Sequence, residues 1–105
     1  MNTDKRYILQ IKEAIARILL FTETMNSADE LKGHTLAADA VIMNFILIAE
    51  NVHKLSAETK NAYPDIRWEN FNVAEQKIGN IKLGIDYDYA WKTIKEDLQK
   101  LQDKL

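Results

Sequence analysis

"LAADAVIMNFILIAENVHKL", residues 36–55, decides the fold. At 3.6 residues per turn, Val41, Ile42, Phe45, Ile46, Ile48, Ala49, Val52 and Leu55 spread around more than one face of a helix. Such a helix finds apolar company only at the centre of a bundle, so the spacing predicts a central helix over about 36–55. Upstream, Ile8, Ile11, Ile15 and Ile18 step by three and four and make one core-facing stripe. That helix is expected to be capped by Thr3 and to run to about Met25. Ser27 and Glu30 form an S-x-x-E capping box, and Gly33 interrupts the helix it opens, which predicts a short helical turn. Downstream, Ser56 opens a short helix, "AETKNA", and Pro64 ends the segment by restricting Tyr63. A further helix is expected over about Trp68–Ile78. The last begins after Asp86, a good N-cap residue. In it Tyr87, Trp91, Ile94, Leu98, Leu101 and Leu105 alternate steps of four and three, a heptad seam suited to pairing within a bundle or across a dimer. No strand-like alternation competes. The prediction is a single all-α domain over 1–105, an up-and-down four-helix bundle with an extra short helix.

Composition narrows the function. A chain of 105 residues suits one domain that buries roughly two-thirds of its unfolded surface. It has no Cys, so a disulfide framework and a thiolate metal site are both excluded. Fourteen Lys and Arg against sixteen Asp and Glu give a net charge of −2, which does not favour non-specific nucleic-acid binding. The start, "MNTDKRYILQ", lacks the apolar core of a signal peptide, and the longest apolar run is "FILIA" at 45–49. The expectation is a soluble, cytoplasmic protein without a membrane partner.

Candidate chemistry is sparse. Glu50 and His53 have the E-x-x-H spacing of di-iron bundles, but a second such pair is missing, and an ordinary i,i+3 polar pair accounts for them. No metal and no cofactor are expected. His34, after Gly33, reads as a solvent-facing cap residue. Tyr87, Tyr89 and Trp91 could stack on bases, yet at alternating helical positions they divide better between core and interface. Lys92, Lys95, Lys100 and Lys104 alternate with Glu96, Asp97 and Asp103, an ordinary solvated face with Glu96–Lys100 at i,i+4. No G-x-S-x-G, P-loop or H-E-x-x-H motif is present.

The order of residues says more. "DAVIMNFILIAENVHKLS", at 39–56, resembles the second-helix signature of the HepT-like branch of the HEPN-domain family. "YPDIRW" at 63–68 is similar to that branch's Tyr/Pro/Ile/Trp loop. "LGIDYDYAW" at 83–91 is similar to its Gly-Ile-Asp entry to the last helix, and "EDLQKL" at 96–101 to its usual ending. The resemblance implies a helical bundle, usually a homodimer with a cleft between protomers. It also implies partnership with a minimal nucleotidyltransferase (MNT) antitoxin. Active members are metal-independent RNases that carry Arg-x4–6-His, commonly with Asn after the Arg and, in HepT types, a Tyr two residues past the His.

Anchored on Gly84-Ile85-Asp86, the family's Arg falls at Glu75, its Asn at Gln76, its His at Asn80 and its Tyr at Lys82. No Arg or His occurs anywhere between 69 and 105. RNA cleavage through the 2′-oxygen needs a proton-moving group and a cation for the phosphorane-like state. An amide has no useful pKa, and a Glu repels phosphate where an Arg attracts it. The sequence therefore reads as the scaffold of an RNase with its catalytic groups gone. Its expected role is a dimeric interaction module for an MNT-type nucleotidyltransferase, or for a nucleotide or RNA. Glu50, Asn51, His53 and Lys82 are the candidates to line its cleft, with a buried helix-to-helix hydrogen bond as the structural alternative for Glu50. The rival reading is an active RNase toxin in which His53 moves the proton and Lys82 or Arg67 supplies the charge.

Overall fold

The structure, a computed structural model, describes residues 2–78 and 84–105. Among these the chain is helical without a strand: α1 Asn2–Thr22, α2 Ala28–Gly33, α3 Thr35–Lys54, α4 Ala57–Ala62, α5 Asn70–Ile78 and α6 Tyr87–Thr93. A π turn, Ile94–Leu98, and α7 Gln99–Lys104 continue α6 with right-handed helical backbone at both joints, making one terminal rod. α1 packs on α3, α3 on α5, α5 on α6, and the π turn returns to α1. Four long elements thus close a bundle of the expected class.

Local chemistry sets most boundaries. Ser27 caps α2 by accepting from Glu30 N at 3.2 Å, and the Glu30 carboxylate accepts in return from Asn26 N at 2.7 Å. His34 Nδ1 accepts from Ala37 N at 3.2 Å, Ser56 Oγ from Thr59 N at 3.2 Å, and Asp86 Oδ1 from Tyr89 N at 2.9 Å. Each satisfies an otherwise orphaned first-turn donor. Gly84 has φ +85°, in the left-handed region that favours glycine, and Asp86 N bonds Lys77 O at 3.1 Å to tie the terminal rod to α5.

Three boundaries differ from the sequence reading. α1 starts at Asn2, so Thr3 already has helical backbone and is not the cap. The same helix stops at Thr22 rather than Met25, where Thr22 Oγ1 bonds back to Ile18 O at 2.8 Å and Met25 N closes a turn onto Thr22 O. α5 begins at Asn70, because Asn70 N and Phe71 N close turns onto Arg67 O and Trp68 O instead of helical bonds.

Ile11, Ile15 and Ile18 from α1, Val41, Phe45 and Ile48 from α3, and Ile94, Leu98 and Leu101 from the rod are all at most 2% exposed. Each such side chain contributes roughly 1.5–3 kcal/mol of burial. The heptad seam is therefore consumed mainly in the chain's own core and leaves little for a partner. α3 is long and apolar enough to cross a membrane on length and composition, which the short "FILIA" run did not suggest; half of that stretch is buried in the bundle, as suits a central helix. On its outer side Leu36 is 80% and Met43 58% exposed.

Candidate functional site

The last turns of α3 carry three of the residues singled out by sequence. Glu50 is exposed, which rules out the structural alternative of a buried hydrogen bond between helices. Asn51 is 2% exposed. Its Nδ2 bonds Leu47 O at 2.8 Å, while its Oδ1 is buried with no hydrogen-bond partner among the described residues. One heptad earlier, Asn44 has the same back-bond to Ala40 O, and its Oδ1 accepts from Arg17 Nε at 2.9 Å. The pair sits on one side of α3, satisfied at one position and orphaned at the next. An orphaned buried carbonyl costs about 1–3 kcal/mol.

His53 points towards α5. Its Nε2 lies 3.7 Å from Glu75 Oε1, with the two side chains 50% and 38% exposed. The structure thus brings one cleft candidate, His53 on α3, against Glu75 on α5, the residue at which the sequence count puts the family's Arg. The contact is an ion pair only when His53 is protonated, and at 3.7 Å it is longer than a hydrogen bond. Gln76 is exposed on α5. Asn80 and Lys82 lie outside the described residues. Arg67, the other cation of the rival reading, is not part of this seam; it sits at the opposite end of α5, on the side facing the terminal rod.

On that opposite side runs a groove the sequence reading missed. Its larger part, about 290 Å³, has Ile66, Phe71 and Leu101 as floor and Arg67, Glu96, Asp97 and Lys100 on the rim. It continues past Asn70 towards Tyr89 and Lys92. Glu96 and Asp97 both line it because they sit in the π turn, where successive side chains diverge less than in an α-helix. Burial pushes the Asp97 carboxyl up from its ordinary pKa, and the neighbouring Glu96 adds to the effect. The expected Glu96–Lys100 pair is absent: among the described residues the two ion pairs are His53–Glu75 and Lys104–Asp65, the latter at 3.2 Å. The aromatic faces are covered by cations, Tyr89 by Lys77 at 5.1 Å and Trp91 by Lys95 at 4.7 Å. Those rings are not free platforms for bases.

No group of three His, Asp or Glu side chains among the described residues has the geometry to hold a metal ion. An all-α bundle with a polar contact between its central helix α3 and α5 is consistent with a scaffold of the HEPN type. Within that class the chain belongs to the ribonuclease HepT-like family, whose model matches residues 11–105. A probable ribonuclease HepT of Thermococcus cleftensis is 31% identical over 103 residues, covering 98% of this chain and 93% of the relative. A gamma-glutamylcyclotransferase and putative RNase of Methanocaldococcus jannaschii is 28% identical over 101 residues, and there the chain spans 45% of the relative's length. A putative RNase of the same organism is 23% identical over 101 residues, covering 96% of this chain and 92% of the relative. No solved structure matches the chain.

Proposed function

We propose that this protein keeps the HepT-like scaffold without its RNase chemistry and works as a cytoplasmic, dimeric interaction module in an MNT/HEPN toxin–antitoxin system. Its partner would be an MNT-type nucleotidyltransferase, with a nucleotide or RNA as further ligand. The observation that carries this reading is Glu75. At the family's Arg position it presents a carboxylate 3.7 Å from His53, where a scissile phosphate would need a cation. The Asn80 and Lys82 replacements point the same way. With the terminal seam spent inside the bundle, the outer stripe of α3 at Leu36 and Met43 is the surface that suits a protein partner.

One observation favours the rival. A carboxylate beside an imidazole is how a base is oriented, and unliganded catalytic contacts are often long. Lys82 would then have to supply the cation. Cleavage of labelled tRNA and mRNA without metal separates the two. We expect no cleavage by the native protein, and cleavage by the double variant Glu75→Arg/Asn80→His. Cleavage by the native protein that is lost in His53→Ala would establish the rival.

A further inference from the structure

The groove between α5 and the terminal rod combines three features that rarely meet on a solvated surface. Its floor is apolar but narrow: Ile66 is 7%, Phe71 3% and Leu101 1% exposed, so little apolar surface reaches the groove. Both signs of charge line the rim: Arg67 and Lys100, against Glu96 and Asp97. None of these four takes part in an ion pair among the described residues, whereas Asp65, at the mouth, is already matched by Lys104. Charges on a convex surface are satisfied by water and ask for nothing. Here the concavity removes some of that water, and burial raises the Asp97 carboxyl although Lys100, Arg67 and Lys92 draw it down.

A ligand that suits the groove must bring a cation for the carboxylates and an anion for the guanidinium and ammonium. A volume of about 290 Å³ lies at the small end for ligand sites, so the match is a small molecule and not a polymer. We infer that this groove binds a small zwitterion, an α-amino acid. The α-ammonium sits against Glu96 and Asp97 and the α-carboxylate against Arg67 and Lys100. Asn70, on the groove wall, offers both a donor and an acceptor beside them. Charge-assisted hydrogen bonds at both ends give the complex its orientation. The site lies at the other end of α5 from the His53–Glu75 seam and does not depend on whether RNase chemistry survives.

The test is titration of the full chain, followed by the amide resonances of Asn70, Phe71 and Leu101, with L-leucine, L-phenylalanine and two half-ligands. Isopentylamine lacks the carboxylate and 4-methylpentanoate lacks the ammonium. L-Leucine should bind roughly tenfold or more tightly than either half, the equivalent of one charge-assisted contact. Arg67→Gln should erase the preference over the amine, and Asp97→Asn should weaken the preference over the acid. Both residues are on the surface, so circular dichroism should be unchanged in each variant. The inference is overturned if neither amino acid moves these resonances, or if the half-ligands bind as well as leucine. It is equally overturned if guanosine monophosphate occupies the groove more tightly than any zwitterion.

Discussion

Two aspartates, one on α1 and one in the π turn, are held in opposite states. Asp4 on α1 is 5% exposed and accepts from Ser56 N at 3.3 Å, from Ser56 Oγ at 2.6 Å and from the Thr59 hydroxyl. Those hydrogen bonds, the Ser56 and Thr59 hydroxyls first, hold its carboxyl below the ordinary range. Asp97 in the π turn accepts from no described side chain and is pushed upward, by burial first and Glu96 second. The same functional group is thus built into the fold at one site and left open at the other. Charge that the fold has already matched contributes stability, and charge that it has not matched is available to a ligand.

Acid is the strongest way to break this comparison. Because the folded pKa of Asp4 lies below its unfolded value, its contribution is fully present above that value and is lost as pH falls through the folded pKa. Native stability, from urea midpoints, should therefore drop steeply below about pH 4. Asp4→Ala should be markedly less stable at pH 7 and should show a flatter acid limb. Its curve should converge with the native one near the bottom of the range. A parallel drop in both proteins would mean that Asp4 does not tie α1 to α4.

Asp97 should behave with the opposite sign. A carboxyl whose folded pKa is raised costs stability at neutral pH, and the cost disappears as pH falls through that pKa. Asp97→Asn should be slightly more stable than the native protein at pH 7 and indistinguishable from it in acid. A variant that gains stability while losing the zwitterion would show the trade expected of a binding site.

How much of this was legible depended on the range of the interaction. The Ser27, Ser56 and Asp86 caps follow from residues three apart, and the central rank of α3 follows from its own apolar pattern. The groove was not legible, since the i,i+4 pairing of Glu96 with Lys100 assumes a regular helix and the π turn removes that regularity. Thr93 Oγ1 bonds back to Tyr89 O at 2.8 Å just before it, a contact of the kind that bends helices. The orphaned Asn51 carbonyl and the meeting of His53 with Glu75 depend on how helices pack around α3, which no local spacing encodes.

The smallest expected effect lies at the seam where the family's chemistry would be. His53 and Glu75 are both more than one-third exposed, and an exposed pair typically contributes less than about 1 kcal/mol. A double-mutant cycle of His53→Gln and Glu75→Gln, read by urea midpoints, should therefore give a coupling under roughly 1 kcal/mol that fades with salt. A coupling well above that, surviving high salt, would mean that the two groups share a drier environment than their exposure allows. The pair would then look like an imidazole held in place by a carboxylate, and the RNase rival would gain its first energetic support. A small, salt-sensitive coupling leaves His53 as a surface neighbour of Glu75, the outcome that the proposed loss of RNase chemistry expects.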